Sequence, residues 1–240
     1  MSVLPIVLVH GIRLSGACWS AVREQIANER PSTTVDLPGH GTRRGETFTL
    51  PGAVESIHAE IDRVGGRAVL VGHSLGGFVS VAAAAGDPSR VAGLVVAGAS
   101  CTPTRANTAP FLLMHRMLSR RPDGGTRISG RIFDAVLPGR VANDVKNGGI
   151  ATEAIPEVVA AIREFDLVGN LARYPGPTWI VNGARDHLRA EEQRCLRASP
   201  QGRLIVVPRA GHYLPLAQPV AFGRLIQDAA AGTETALGHR

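Results

Sequence analysis

The segment Ala68-Val69-Leu70-Val71-Gly72-His73-Ser74-Leu75-Gly76-Gly77 constrains this chain more than any other. An apolar run enters it, and an alanine-rich helical stretch from Phe78 to Ala85 leaves it. The local structure therefore reads as strand, sharp turn, helix. A residue at such a turn is forced into a strained backbone conformation, which lifts the Ser74 hydroxyl above the end of the sheet. Gly72 and Gly76 let strand and helix pass closely, with no Cβ between them. The helix aims its N-terminal N–H groups at the space where an oxyanion would form. A G-x-S-x-G pentapeptide also arises by chance, so the weight of the argument falls on its partners.

A serine hydroxyl is a weak nucleophile and needs a histidine base, which in turn needs a carboxylate to fix its tautomer. After a serine at this kind of turn the acid is expected first and the histidine second, each at the C-terminal end of a strand. Pro177 to Asn182 reads as a buried strand and runs into Gly183-Ala184-Arg185-Asp186-His187. Arg203 to Val207 reads as the next strand, followed by Pro208-Arg209-Ala210-Gly211-His212. Asp186 and His212 stand where the arrangement requires them. The loop after the strand Val91 to Ala97 carries Ser100, Cys101 and Thr102 but no acid. Asp36 precedes the serine and reads as the cap of the Leu37–Gly41 turn. Asp166 reads as a helix N-cap. Adjacent residues on a sharp turn point in different directions, so His73 reads as a packing residue. His187 reads as a solvated loop residue or as part of a pocket wall. His58, His115 and His239 read as surface residues.

An oxyanion needs two converging donors. Leu75 N–H, next to the serine, supplies one. The strand Ile6 to Val9 leads into His10-Gly11-Ile12, and Ile12 N–H is the candidate for the second, since Gly11 lets the backbone approach closely. Each such donor is worth about 3–4 kcal/mol in the transition state.

With these residues in view the chain resembles the α/β-hydrolases, specifically the small, lid-bearing esterases, lactonases and C–C hydrolases. The resemblance rests on His10-Gly11 with Trp19 downstream, Asp36-Leu37-Pro38-Gly39-His40-Gly41, Gly72-His73-Ser74-Leu75-Gly76-Gly77, Gly183-Ala184-Arg185-Asp186 and Gly211-His212. It implies Ser74 as nucleophile, Asp186 as acid, His212 as base, and Ile12 with Leu75 as oxyanion donors. The chain starts almost directly on the strand before His10, with no room for the antiparallel pair that often precedes it. The implied sheet is the reduced form with six parallel strands, similar to plant methylesterases and hydroxynitrile lyases.

The rest of the sequence agrees. Its 240 residues, 44% of them hydrophobic, suit one sizeable domain. Strands are expected near 3–9, 33–37, 68–72, 91–98, 177–182 and 203–207. Helices are expected near 18–29, 52–64, 75–86, 164–173, 190–198 and 218–231. This alternation describes a mostly parallel sheet covered by helices on both faces. The expected core is 1–100 with 164–231, and the tail 232–240 reads as frayed. Cys18, Cys101 and Cys195 are odd in number and far apart, which argues against a disulfide framework and for a reducing cytoplasm. No cofactor or metal site is expected, and no apolar run has membrane-spanning length.

The interval 101–163 breaks the alternation and is too long for an ordinary connection. Helices are expected within it near Pro110–Ser119, Ile128–Leu137 and Pro156–Arg163. The resemblance makes this a helical lid inserted before the acid-bearing strand. Phe111, Met114 and Phe133 within it, with His73 and His187 beside the triad, are the candidates for touching substrate, although packing explains many of the lid's apolar residues equally well. From Arg105 to Lys146 the lid carries eight basic residues against three acidic ones, in a chain of net charge +6. Such a surplus suits an anionic substrate or an acidic carrier protein, or simply a solvated arginine-rich face. No recognition motif or aromatic platform accompanies the arginines, which argues against nucleic acid. The expected activity is hydrolysis of a small-molecule carboxylic ester or lactone. The same residues would also serve thioester cleavage, acyl transfer, C–C hydrolysis or elimination, and a ligand-sensing role uses the same pocket.

Overall fold

A computed structural model describes residues 3–163 and 165–238. Six strands, β1 (Ile6–Val9), β2 (Ser32–Val35), β3 (Ala68–His73), β4 (Val91–Ala97), β5 (Pro177–Gly183) and β6 (Gln201–Val207), make one parallel sheet in the order β2-β1-β3-β4-β5-β6. The helices in chain order are α1 (Ser20–Ile26), α2 (Leu50–Arg63), α3 (Leu75–Gly86), α4 (Arg105–Leu118), α5 (Thr126–Val136), α6 (Gly139–Asn147), α7 (Ile155–Ile162), α8 (Leu167–Arg173), α9 (Glu192–Ala198), α10 (Leu214–Ala217) and α11 (Pro219–Gly238).

Central strands covered on both faces need apolar residues at every position, and that is why they read as unbroken runs. Their two-residue period still divides them. Val7, Val9, Leu70, Leu94, Val96 and Ile180 join a core with Ile57 and Ile61 of α2, Val79 of α3 and Leu171 of α8. Ile6, Leu8, Val69, Val71, Val95 and Val181 join the opposite core with Val22 and Ile26 of α1 and with Phe222 and Ile226 of α11. The order of strands reverses direction at β1, so the C-terminal ends of β1 and β3 flank a crevice of the kind that holds ligands in open α/β sheets.

Several local expectations change. The stretch between Pro138 and Asn147 is helical: α6 buries Val141, Ala142 and Val145 in the second core. Only these three of its nine residues carry the apolar pattern, and what makes the helix is the surface it covers. Helix α4 starts at Arg105, with the Thr104 side chain accepting from Asn107 N–H at 3.4 Å, and keeps Pro110 inside. The tail does not fray at Gly232. Helix α11 continues to Gly238; Thr233 is fully buried, and Glu234 accepts from Arg30 (2.5 and 2.9 Å) and from Leu4 N–H (2.8 Å). His239 and Arg240 lie outside the described residues, as does Glu164, where a helix was expected to begin; α8 starts at Leu167, N-capped by Asp166. His58 and His115 are half-buried, bonded to the Ala83 and Thr152 carbonyls. Among the described residues no helix is long and apolar enough to cross a membrane.

Candidate active site

Ser74 joins β3 to α3 with φ 54° and ψ −117°, a conformation that costs a non-glycine residue of order 1–3 kcal/mol. The surroundings impose it. Ser74 N–H donates to the Ala97 carbonyl at 2.8 Å. A Cβ on Gly76 would lie 2.3 Å from the Val9 carbonyl oxygen, so the helix start is pressed against the end of β1. Leu75 is the first residue of α3, and the first N–H groups of a helix have no intrahelical acceptor. Ile12, just beyond β1, lines the same cavities as Ser74.

Asp186 follows β5 and His212 follows β6, strands paired in parallel along their full length. His212 Nε2 is 3.1 Å from Ser74 Oγ, and Nδ1 is 3.0 and 3.2 Å from the Asp186 carboxylate oxygens. Asp186 is 4% exposed. Burial alone would raise its pKa, but the His212 hydrogen bond and charge, together with Leu188 N–H at 2.9 Å, hold it below the ordinary carboxylate value. It therefore stays an anion that accepts from Nδ1, which leaves Nε2 free to accept the serine proton. Beneath this pair lies Gly98, at φ 61°. A Cβ there would stand 3.0 Å from Asp186 Oδ2 and 3.1 Å from His212 Nδ1. The sequence signal for it was a glycine directly after a buried strand.

His10 and His73 are fully buried beside the serine. His10 Nδ1 donates to the Gly11 carbonyl at 2.8 Å and Nε2 accepts from Leu37 N–H at 3.1 Å, an arrangement that only the neutral ring satisfies. His73 Nε2 donates to the His212 carbonyl at 2.9 Å. Burial, then the charge of His40 for His10 and of His212 for His73, brings both pKa values down to about 3. His73 thus holds the His212 backbone as well as packing.

Two cavities reach Ser74, one of about 500 Å³ and one of about 40 Å³. His73, Phe111, Met114, His187 and His212 line the wide one, and Phe111 lines both. Phe133 is a correction: it is buried behind the wall, edge-on to Tyr213 at 5.8 Å. The residues that sequence reasoning missed are mostly apolar or neutral: Tyr213, Leu188, Asn107 and Cys101 line the site. Burial pushes the Cys101 thiol up to about 11, so it is inert at neutral pH. Arg13 was also passed over. It is 8% exposed, bonds Ser129 of α5, contacts Met114 Sδ at 3.5 Å, and lies 6.0 Å from the Phe133 ring centre. It ties the loop after β1 to α4 and α5.

A model of the alpha/beta hydrolase family matches residues 6–225. A pimeloyl-[acyl-carrier protein] methyl ester esterase of Edwardsiella ictaluri is 28% identical over 238 residues, covering 90% of this chain and 89% of the relative. The Neisseria meningitidis protein of the same name is 26% identical, covering 96% and 95%. A solved thermophilic esterase of Thermogutta terrifontis superposes with a TM-score of 0.76 at 25% identity, covering 96% of this chain and 90% of that one.

Two outcomes follow from this geometry. Between pH 6.5 and about 3 the unfolded chain binds more protons than the native state at His10 and His73, so stability falls as pH falls through that window. Urea unfolding at pH 7.5 and pH 5 should differ by about 2 kcal/mol for each histidine; equal stabilities would contradict the neutral buried rings. Gly98→Ala should lower stability by about 1–2 kcal/mol and slow labelling of Ser74 by a small fluorophosphonate about 10-fold or more. Unchanged labelling would mean that Gly98 does not set the geometry of Ser74, His212 and Asp186.

Proposed function

The chain belongs to the alpha/beta hydrolase family, and from that membership and the geometry at Ser74 we propose a serine hydrolase that cleaves a small-molecule carboxylic ester or lactone through an acyl-enzyme. The observation that carries the reading is the hydrogen-bonded chain Ser74–His212–Asp186, set beside the N-terminus of α3. His212 Nε2 takes the hydroxyl proton as Ser74 Oγ attacks the carbonyl carbon. Asp186 holds the resulting imidazolium and its tautomer. The oxyanion sits between Leu75 and Ile12 N–H. As the intermediate collapses, His212 returns the proton to the leaving oxygen, and the acyl group stays on Ser74. Water, activated by His212, then releases the acid. Residues 101–163 act as the lid: α4 contributes Pro110, Phe111 and Met114 to the cavity wall over Ser74.

A second reading, in which the substrate is anionic or borne on an acidic carrier, is favoured by the outer surface of that lid. Arg140 is paired with Glu24 and Lys146 with Asp134. Arg105, Arg116, Arg120, Arg121, Arg127 and Arg131 are exposed and enter no ion pair among the described residues. Leu113, Met117, Ile128, Ile132 and Val136 are exposed between them. The curated relatives are named for a carrier-protein ester, which agrees with a basic and apolar docking face of this kind.

The test of the first reading is intact mass after exposure to a small fluorophosphonate. Wild type should gain a single adduct and Ser74→Ala none, with Asp186→Asn reducing kcat on the order of 10⁴-fold. An adduct that persists in Ser74→Ala would remove the nucleophile assignment. For the second reading, kcat/KM for a carboxylate-bearing ester should fall as salt rises from 50 to 500 mM while that for a neutral ester holds. Parallel salt responses would reduce the arginine face to solvation.

A further inference from the structure

The two cavities that meet at Ser74 differ in what else they touch. The wide one has His212, His187 and Tyr213 in its wall. The narrow one is floored by Phe78, Val158, Val159 and Ile162, with Leu75 and Ile12 beside Ser74, and His212 is not among its described lining residues. A tetrahedral carbon on Ser74 carries four groups: Ser74 Oγ, the oxyanion, the leaving oxygen or sulfur, and the acyl substituent. The leaving atom must receive its proton from His212 Nε2, so it lies on the His212 side, in the wide cavity. The oxyanion is held by Leu75 and Ile12. The narrow cavity remains for the acyl substituent.

Resting on the assignment of Ser74 as nucleophile, we propose that this site selects esters of short, uncharged acids and takes its bulk on the alcohol or thiol side. A cavity of about 40 Å³ is little larger than the ~30 Å³ that one water occupies in the liquid, so only a short acyl chain fits beyond the carbonyl. Its walls resist widening. Val158 and Ile162 are part of the first core, at 0% and 7% exposure, and Phe78 packs edge-on against Phe165 at 6.3 Å. A longer chain would have to displace packed core side chains. No charged side chain lines this cavity among the described residues, so an acyl group ending in a carboxylate would lose its water and gain no partner. The arrangement is the reverse of the pimeloyl-[acyl-carrier protein] methyl ester for which the curated relatives are named, in which the carrier is on the acyl side; a carrier here rides on the leaving group. A short acyl thioester on a large thiol fits it; a methyl ester of a long diacid does not.

The test is kcat/KM for p-nitrophenyl acetate, butanoate and octanoate, with benzyl and methyl butanoate as the leaving-group pair. Butanoate should exceed octanoate about 10-fold or more, and benzyl butanoate should be cleaved at least as well as methyl butanoate. Val159→Ala, which opens the floor, should raise the octanoate-to-butanoate ratio about 10-fold. Octanoate equal to or better than butanoate in wild type overturns the assignment, as does failure to turn over benzyl butanoate while methyl butanoate reacts. Fluorophosphonate labelling of the same samples separates the two levels. A labelled Ser74 with an octanoate preference removes only the acyl assignment, whereas an unlabelled Ser74 removes the serine-hydrolase reading beneath it.

Discussion

The backbone of Ser74 is the constraint on which the rest of the site depends. A residue at φ 54° and ψ −117° is held there only if its neighbours leave no alternative. Here the neighbours are carbonyls: Val9 O presses against Gly76 on one side, and Ala97 O takes the Ser74 N–H on the other. Strands β1 and β4 therefore clamp the elbow from both flanks of β3. Because both clamps are backbone groups of buried strands, no side-chain rotation relaxes them. The strain is carried by the packing of the whole sheet, and the hydroxyl is delivered above the sheet edge without a flexible segment.

The same parallel register delivers the other groups. Gly183 pairs with Val207, so the loops after β5 and β6 begin at one level, while β4 ends two residues short of them, Ala97 pairing with Val181. Gly98 therefore sits beneath the place where the Asp186 and His212 side chains meet. A Cβ on Gly98 would stand 3.0 Å from Asp186 Oδ2 and 3.1 Å from His212 Nδ1, tight enough that one of them must give, which makes a glycine after β4 as much a part of the site as the charged pair above it.

Much of this was legible in the sequence, for a physical reason. Doubly covered parallel strands are short apolar runs, and the chemistry of such a sheet sits immediately after them, so Ser74, Asp186 and His212 could be placed by counting from Val71, Asn182 and Val207. What escaped was whatever depends on a partner surface. Helix α6 forms because Val141, Ala142 and Val145 have a core to cover, and the end of α11 persists because Glu234 meets Arg30. Phe133 reads as a pocket residue in a lid and is instead a support for Tyr213. Cavity walls such as Asn107, Leu188 and Cys101 carry no local signal, since lining a space is a property of the assembled fold.

Several histidines crowd the site, and for three of them the structure decides the role by one difference. His10, His73 and His212 lie along the same crevice, with the rings of His73 and His212 4.9 Å apart. A second cation at that distance would oppose the imidazolium that His212 becomes in the proposed mechanism. Burial removes the threat by keeping His73 neutral, and its Nε2–H is spent on the His212 carbonyl. His10 is likewise held neutral between a carbonyl and an N–H. Only His212 sets a ring nitrogen within 3.2 Å of a carboxylate among these three, and only it faces the serine. The proposed base is thus singled out by where the buried Asp186 carboxylate stands, and His10 and His73 act as fixed, uncharged braces beside it.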